Sequence, residues 1–339
     1  MGILVLGYFG YVTNQLDGQT VKTRDVYNLL KEKSEDEVTY FDTQTFKVSK
    51  LNILKMFWMI IKAHHVFYLP AHNNLKYIFP LVYFFSKISN VKINYLVVGG
   101  WLSDFLNNKK IHRYMLKDIN GIYVETDHLL HNLSKYGFKN LHKLYNFRNI
   151  DLKKIQPAKN NDGNVKLVFM ARVHPMKGVD VIFEIDKSIK DLGIENVSID
   201  IYGQIFEGYK DEFFKKIEAS NVNYRGVIEP NNIYNILPLY DLMLFPTRYY
   251  TEGFPGTILD AYISGLPVIS TRWLNAEEFV DEGETGYIVD FNNDPLYINT
   301  VLGLIKNSEE IDKLKNNVLI KRDVYGINAV WEILCESLS

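Results

Sequence analysis

The amino-acid sequence predicts an α/β protein built from two doubly wound domains, each with a parallel sheet. Short apolar runs alternate with longer segments of helical periodicity, which is the pattern of βαβ units. The alternation occurs twice and is interrupted at 146–164, a polar run without a hydrophobic period. The length of 339 residues also exceeds the roughly 100–200 residues of a single domain. We therefore expect an N-terminal domain over 1–150, a linker over 151–164, a second domain over 165–320 and a C-terminal helix over 321–339 that can return to the first domain.

The strands of both sheets are predicted from apolar runs rich in β-branched and aromatic residues. The first series comprises 3–6, 38–42, 66–69, 93–98, 121–125 and 141–145. The second series comprises 165–170, 198–202, 223–225, 242–245, 267–270 and 287–289. Because ligands of open α/β sheets bind beyond the carboxyl ends of the strands, we expect the two domains to face a central cleft that holds the ligand.

The composition excludes several classes of protein. Apolar residues at 47% and charged residues at 23% are globular values, not those of fibrous or disordered chains. The single cysteine, Cys335, rules out an intramolecular disulfide and a cysteine zinc site, and it fits a reducing compartment. The longest apolar run, Tyr77–Phe85, is too short to span a bilayer, and the N-terminus lacks the features of a signal peptide. These observations predict a cytoplasmic protein.

Positive charge is concentrated in the first half of the chain. No acidic residue occurs in the stretch 43–103, which carries Lys47, Lys50, Lys55, Lys62, Lys76, Lys87 and Lys92. Twelve Phe, Tyr and Trp rings are interleaved with these lysines, as at the surface of an anionic bilayer. The alternative is that the rings form core and the lysines are merely solvated. Nucleic acid is disfavoured, because the sequence pI is near 6.5 and the stretch contains no arginine.

Two cations follow the first strand of the second half. Arg172 and Lys177 lie in the loop between the apolar run 167–171 and a helix that is predicted to begin near Gly178. A guanidinium and an ammonium at this place can clamp a diphosphate. The alternative is a pair of solvated surface charges. His174 lies in the same loop, where it either touches the same ligand or faces solvent.

A turn rich in glycine and proline follows the strand 242–245. Its sequence TEGFPGT, from Thr251 to Thr257, opens a helix whose first N–H groups can bind a phosphate, with Thr257 as a further donor. Glu252 precedes this helix and Asp260 lies about one turn into it. Two acceptors along a phosphate-binding turn describe a nucleotide-sugar site, unless both acids merely stabilise the helix N-terminus.

These residues resemble the donor domain of family 4 glycosyltransferases, which have the GT-B fold of two Rossmann-like domains. The resemblance rests on the run EGFP at 252–255, the second acid at 260, the run AYISGLPVI at 261–269 and the segment 277–286, where Glu277 replaces the usual proline. It implies Glu252, Arg172 and Lys177 as catalytic residues. It also implies that the reaction retains the anomeric configuration of the donor sugar.

The resemblance also implies binding residues in both domains. It assigns donor contacts to Gly18, Gly203, Gly253, Phe254, Pro255, Gly256, Thr257 and Asp260. Acceptor contacts fall to Gly99, Gly100 and Trp101. The chain departs from the family in having a single Gly18 where a glycine pair is usual, Asp260 in place of glutamate, and no histidine beside Gly99–Gly100. His72 is interpreted as a surface or interdomain residue.

The expected function is that of a hexosyl-type glycosyltransferase. It would move a sugar from a nucleoside-diphosphate sugar, with UDP as the expected nucleotide, to a lipid-linked or growing oligosaccharide in capsule, O-antigen or exopolysaccharide biosynthesis. No metal or other cofactor is expected, because the sequence has no Asp-x-Asp motif. The stretch 43–103 would attach the enzyme peripherally to the inner face of the cell membrane. Two alternatives stay open: a GT-B enzyme of other chemistry, such as an epimerase or a phosphorylase, and a non-catalytic nucleotide-sugar-binding partner in an assembly complex.

Overall fold

A computed structural model describes residues 2–12, 17–157 and 163–338. The chain divides into two compact units. One runs up to Ile150 and includes the C-terminal segment from Tyr325 onward, and the other is Asp151–Val324. Each contains a six-stranded parallel sheet flanked by helices, so the prediction of two Rossmann-like α/β domains is confirmed.

The sheet of the first unit has the strand order β2-β1-β3-β4-β5-β6. Its strands are β1 (Gly2–Gly7), β2 (Glu37–Asp42), β3 (His65–Leu69), β4 (Lys92–Leu96), β5 (Gly121–Val124) and β6 (Leu141–Lys143). The helices between them are α1 (Gly18–Lys33), α2 (Asn52–Lys62), α3 (His72–Tyr77), α4 (Phe79–Ile88), α5 (Leu102–Leu106), α6 (Lys110–Lys117) and α7 (Asp127–Ser134).

The sheet of the second unit has the strand order β12-β11-β10-β7-β8-β9. Its strands are β7 (Val165–Met170), β8 (Val197–Tyr202), β9 (Asn223–Tyr224), β10 (Leu242–Phe245), β11 (Val268–Thr271) and β12 (Gly286–Val289). Its helices are α8 (Val179–Asp191), α9 (Lys210–Glu218), α10 (Ile233–Ile236), α11 (Gly256–Ile263), α12 (Ala276–Phe279), α13 (Asp294–Ile305) and α14 (Ser308–Lys321). All twelve predicted strands are present, with ends within two residues of the predicted ones.

The last helix, α15 (Ile327–Cys335), belongs to the first unit. Val330 and Leu334 are buried in a core cluster that also contains residues of β1 and α1. The described part of the predicted linker packs instead against the second unit: Ile155 is buried, and its carbonyl accepts a hydrogen bond of 3.0 Å from Arg322. Residues 158–162 of that linker lie outside the described residues.

The strands are apolar without interruption because helices cover both faces of each sheet. In β1, Leu4 and Leu6 face the cluster that contains α2 and α4, whereas Ile3 and Val5 face the cluster with α1 and α15. Successive side chains of a strand point to opposite faces, so two buried faces require an unbroken apolar run. Among the described residues, no helix is both long enough and apolar enough to cross a membrane.

The loop after β1 leads into α1 at the carboxyl edge of the first sheet. Asp17 caps this helix: its carboxylate accepts from the Thr20 N–H at 2.9 Å, and the Thr20 hydroxyl lies 2.9 Å from the Asp17 N–H, which donates to it. Gly7 permits close packing below the cap, because a Cβ there would lie 2.8 Å from the methyl group of Thr23. Since β1 lies between β2 and β3, Gly18 at the start of α1 falls at the point where the strand order reverses.

Candidate functional site

The predicted donor residues converge at the reversal point of the second sheet. From β7 the chain moves outward through β8 and β9, and then returns to place β10 on the other side of β7. The loops that leave the carboxyl ends of β7 and β10 therefore both lie at this reversal point, which is where open α/β sheets bind ligands. Arg172 and Lys177 lie in the loop after β7, and the turn 252–256 lies in the loop after β10.

The backbones of these two loops touch each other. Gly178 has a φ of +75°, and a Cβ at this position would lie 1.8 Å from the carbonyl oxygen of Pro246. The N–H of Arg248 donates a 2.9 Å hydrogen bond to the carbonyl of Met176. Only glycine fits position 178, because any side chain meets main-chain atoms and a left-handed conformation as well. The contact fixes the spacing between the cationic loop and the acidic turn.

Lys177 and Glu252 form an ion pair that joins the loop after β7 to the loop after β10. The Lys177 ammonium donates to Glu252 Oε1, and both side chains are mostly buried. The same carboxylate oxygen accepts from the Thr247 hydroxyl at 3.1 Å, and the Glu252 carbonyl accepts from the Asn275 side chain at 2.6 Å. The ring of Tyr249 lies 5.0 Å from the Lys177 ammonium, within cation–π range. Glu252 is thus held at both its side chain and its main chain.

The loop after β7 forms a cationic cluster. Arg172 is exposed, and its positive charge interacts electrostatically with the nearby His174. Burial lowers the pKa of His174, and the positive charges of Arg172 and Lys177 lower it further. The Nδ1 atom of His174 accepts a 3.0 Å hydrogen bond from the Met176 N–H, and its ring packs 4.6 Å from that of Phe206. An anion that neutralises this cluster would relieve the repulsion among its three side chains.

The helix α11 presents its N-terminus beside the ion pair. Its first turn closes with the hydrogen bond from Ile258 N–H to Pro255 C=O at 3.0 Å, so the N–H groups of Gly256 and Thr257 precede the helical ladder. The Thr257 hydroxyl donates to the carbonyl of Met170 at 2.8 Å and ties the helix to the end of β7. The donor that Thr257 offers to an anion in this arrangement is therefore its main-chain N–H rather than its hydroxyl.

Two predicted donor residues have their side chains engaged within the protein. Phe254 is buried and stacks on Phe279 at a centroid distance of 4.1 Å, so contacts from this residue to a ligand come from its main chain. Asp260 is only 5% exposed, and its Oδ1 atom accepts a 2.7 Å hydrogen bond from the Tyr234 hydroxyl. This contact orients the Asp260 carboxylate from the neighbouring helix α10.

Gly203, at the end of β8, borders the cationic loop. Its φ is +144°, and a Cβ there would lie 1.8 Å from the carbonyl oxygen of Ala171. Its N–H donates to the carbonyl of Gly226 at 2.8 Å, and its own carbonyl accepts from the Tyr224 hydroxyl at 3.0 Å. The backbone after β8 therefore lies directly against the backbone that precedes Arg172.

In the first unit, the predicted acceptor residues follow β4. Gly99 has a φ of +79°, and the indole N–H of Trp101 donates to the carbonyl of Val98 at 2.9 Å. The ring of His72 lies 5.1 Å from that of Trp101, so the structure brings a histidine to the Gly99–Gly100 loop from the neighbouring strand connection. The sequence gives no signal for this contact, because the two residues are far apart along the chain and meet only through the pairing of β3 with β4.

Among the described residues, no group of three or more histidine, cysteine, aspartate or glutamate side chains is arranged to hold a metal ion.

Comparison with protein families decides the affiliation. The family model described as glycosyl transferases group 1 matches residues 151–319, about half of the chain. The chain belongs to the group 1 glycosyltransferases. The matched range contains the cationic loop, the turn 252–256 and the helix α11.

Known proteins resemble this group 1 glycosyltransferase at low identity. An uncharacterized 41.2 kDa protein in the cps region of Klebsiella pneumoniae is 27% identical over 161 residues, which are 44% of this chain and 41% of that protein. The chain thus aligns with less than half the length of this curated relative. Among solved structures, HepE of Anabaena in complex with UDP has a TM-score of 0.76 at 15% identity, over 100% of this chain and 99% of that chain. The lipopolysaccharide outer core galactosyltransferase WaaB has a TM-score of 0.65 at 13% identity, with the same coverage. These likenesses confirm the predicted GT-B fold.

Proposed function

We propose that this protein transfers a sugar from a UDP-sugar to a carbohydrate acceptor. The observation that carries the proposal is the Lys177–Glu252 ion pair, which lies beside the N-terminus of α11 at the reversal point of the second sheet. This arrangement combines a cation for a diphosphate, main-chain donors for a phosphate and a carboxylate for a sugar. The UDP in the HepE structure, whose fold this chain shares, supports UDP as the nucleotide.

In the proposed mechanism, the diphosphate replaces Glu252 as the partner of Lys177. Arg172, which is exposed, binds the same group, and the N–H groups of Gly256 and Thr257 donate to its oxygens. Negative charge grows on the diphosphate as its bond to the anomeric carbon breaks, and these donors stabilise it. The acceptor hydroxyl forms the new bond to that carbon, and its proton passes to the leaving diphosphate. With the cations in this role the reaction needs no divalent metal.

Glu252 acts on the sugar in this proposal. Once Lys177 turns to the diphosphate, the Thr247 hydroxyl still donates to the Glu252 carboxylate, and the Asn275 side chain still donates to the Glu252 main-chain carbonyl. It accepts hydrogen bonds from sugar hydroxyls and stabilises the positive charge that develops at the anomeric carbon. Retention of the anomeric configuration and transfer of a hexose are part of the proposal and rest on the resemblance to family 4.

A panel of nucleotides tests the donor assignment. Thermal-shift measurements with UDP, GDP and ADP, each with and without its sugars, should show the largest stabilisation with UDP and UDP-sugars. Incubation with a UDP-sugar and an acceptor glycan should then release UDP. Stabilisation by UDP without turnover on any acceptor would favour the non-catalytic binding partner, and the absence of any nucleotide effect would overturn the proposed site.

The acceptor is proposed to be a lipid-linked or growing oligosaccharide of a bacterial surface polysaccharide. The relative encoded in the Klebsiella cps region and the fold shared with a lipopolysaccharide galactosyltransferase support this class. A transferase for such an acceptor must work at a membrane surface, because the lipid part of the acceptor stays in the bilayer. A feature of the first unit fits that requirement.

Three helices on one face of the first sheet expose apolar side chains together with lysines. The helices α2 and α4 pack on each other through the stacked rings of Phe57 and Phe85, and α6 packs against α4. Their exposed apolar residues, which we call the outer apolar face, are Leu54, Trp58, Ile61, Leu81, Phe84, Ile88, Ile111 and Tyr114. Lys55 and Lys62 are exposed on α2, and the Lys62 ammonium lies 3.8 Å from the ring of Trp58.

We propose that the outer apolar face docks on an anionic bilayer. Rings and aliphatic side chains enter the headgroup region while the lysines contact lipid phosphates, at up to about 1 kcal/mol for each lysine near the surface. The stretch 43–103 predicted from the sequence covers α2 and α4, and the structure extends the face to Ile111 and Tyr114 on α6. Peripheral attachment to the inner face of the cell membrane is part of this proposal.

Vesicle sedimentation tests the docking surface. The protein should sediment with phosphatidylglycerol vesicles at low salt and be released as salt shortens the Debye length. Trp58→Ser combined with Phe84→Ser should abolish binding, and Lys55→Glu combined with Lys62→Glu should weaken it. Ile320→Ser, a change at an even more exposed apolar residue of α14 in the second unit, is the control and should bind as the wild type does. Equal binding to neutral phosphatidylcholine and anionic vesicles, or binding to neither, would contradict the proposal.

A further inference from the structure

A buried ion pair in the first unit has no part in the site described above. Lys22, on α1, is 1% exposed, and Glu125, directly after β5, is buried as well. The Lys22 ammonium donates to Glu125 Oε1 and, at 3.2 Å, to the carbonyl of Val97. Burying two charges costs several kcal/mol per ion in desolvation, so such a pair contributes little net stability compared with apolar side chains of the same size. The alternative is that the ion pair holds the backbone segments around it in a defined arrangement.

The pair joins three segments at the carboxyl edge of the first sheet. Lys22 lies in the second turn of α1, the helix that Asp17 caps and Gly18 begins. Val97 directly follows β4 and opens the segment that leads to Trp101. Glu125 directly follows β5 and precedes Thr126, which caps α7 by accepting from the Leu129 N–H at 3.1 Å. The carboxyl edge is the ligand-binding edge of an open α/β sheet.

The loop from Val97 to Trp101 is fixed at successive positions. The Val97 N–H donates to the carbonyl of Tyr123 at 2.8 Å, and its carbonyl accepts from Lys22. The next carbonyl, of Val98, accepts from the indole of Trp101. Removing Lys22 would free the Val97 carbonyl and leave the buried Glu125 without its cation. The backbone could then rotate at the glycine pair that follows, where Gly99 adopts its positive φ.

We infer that Lys22 and Glu125 are positioning residues for the transfer reaction. Their ion pair holds the start of α1 and the Gly99–Gly100 loop in the arrangement that receives the acceptor. This inference rests on the proposed glycosyltransferase function. It assigns the pair no contact with substrate and predicts an effect on turnover rather than on nucleotide affinity, because the groups proposed to bind the diphosphate, which are Arg172, Lys177 and the N-terminus of α11, lie in the second unit.

The second unit provides a matched control. Lys315 and Asp241 are both buried, and the Lys315 ammonium donates to Asp241 Oδ1 at 2.8 Å and to the carbonyl of Tyr240 at 3.2 Å. The chemistry is the same: a buried lysine bridges a carboxylate and a main-chain carbonyl. Asp241, however, precedes β10 and lies at the amino edge of its sheet, opposite to the candidate site. Comparing variants of the two pairs therefore distinguishes an effect on the stability of the fold from an effect on the positioning of the acceptor loop.

The experiment compares double variants that remove each pair without leaving a buried charge unpaired. Lys22→Met with Glu125→Leu should lower kcat at least tenfold, change the UDP dissociation constant less than twofold, and raise hydrogen exchange at the amides of 98–102. Lys315→Met with Asp241→Asn should lower the melting temperature but leave kcat and UDP affinity unchanged. The single variant Glu125→Asp keeps the charge, so its kcat should lie between that of the wild type and that of the Lys22→Met, Glu125→Leu variant.

The outcomes separate this inference from the proposed function. If the wild type releases no UDP with any donor and acceptor, the proposed function fails. If the wild type is active and the Lys22→Met, Glu125→Leu variant keeps its kcat, the positioning role is wrong. An equal loss of kcat in both double variants would also overturn it, since the effect would then follow from stability alone.

Discussion

The change Glu252→Gln separates the two roles that Glu252 has in the proposed mechanism. The amide keeps the shape of the side chain and still accepts from the Thr247 hydroxyl, but it removes the negative charge that holds Lys177. In the free protein this charge competes with the diphosphate for the lysine. In the transition state the same charge stabilises the sugar. The substitution should therefore tighten nucleotide binding and slow transfer.

Both magnitudes follow from the contacts of Glu252. A hydrogen bond between charged groups contributes about 1.5–3 kcal/mol, so freeing Lys177 from it should lower the UDP dissociation constant roughly 10- to 150-fold. A charge-assisted hydrogen bond to the reacting sugar is worth about 1.5–3 kcal/mol, so losing it should reduce turnover roughly 10- to 150-fold. The alanine variant should lose at least as much turnover, because it also removes the bond to Thr247.

Calorimetric titration with UDP and steady-state release of UDP measure the two effects. Glu212→Gln is the control, because Glu212 pairs with Lys216 at 2.7 Å on the exposed side of α9, away from the site. It should change neither quantity. Weaker UDP binding in Glu252→Gln would show that the carboxylate does not compete for Lys177. Unchanged turnover would show that Glu252 does not act on the sugar.

Four further predictions concern the same site. Gly178→Ala should lower the stability of the second unit by about 2 kcal/mol or more and weaken UDP binding, because the new Cβ overlaps the Pro246 carbonyl. Gly193→Ala is the control in a thermal melt. Gly193 has a φ of +59° and open space around it, so this variant measures the cost of the backbone conformation alone. UDP should raise the pKa of His174 in an NMR titration, since the diphosphate offsets the cations that lower it. Because the pKa of His174 is lowered in the folded protein, the unfolded chain takes up a proton at this residue at a higher pH than the folded chain does. The free energy of unfolding should therefore fall as the pH drops below about 6.5, and it should fall less in His174→Gln. Turnover should survive EDTA; a loss that manganese restores would contradict the metal-free mechanism.

The strands could be predicted from the sequence because both faces of each sheet are covered. The exact strand ends could not. Val97 and Val98 were included in the fourth strand as apolar residues, yet β4 ends at Leu96. Val97 is nevertheless buried in the core of the first unit, and its N–H continues to bond to β5 while its carbonyl accepts from the Lys22 ammonium. Hydrophobicity reports burial, and it does not report where a ladder of hydrogen bonds stops.

The turn that forms part of the candidate donor site was predictable from the sequence, whereas its contacts were not. The run 252–256 marks a helix N-terminus through its glycines and proline, which is a local signal. The partners of Glu252 are set by tertiary structure: Lys177 comes from the loop after β7, and Asn275 comes from the segment after β11. The same holds for Phe254, whose ring is used in packing on Phe279. A motif specifies which backbone conformation is needed, and the neighbouring strands decide what each side chain touches.

The outer apolar face shows the same division between local pattern and tertiary structure. The run Phe57–Ile61 is apolar on every side of a helix, so periodicity alone cannot say which residues face the sheet. In the structure, Phe57 stacks on Phe85, whereas Trp58 and Phe84 are each more than half exposed. Exposed rings beside lysines are the arrangement that a contact with an anionic bilayer would use. The exposure of Trp58 and Phe84 therefore gives the docking proposal a structural argument besides composition, and these two rings are the ones whose removal is expected to abolish vesicle binding.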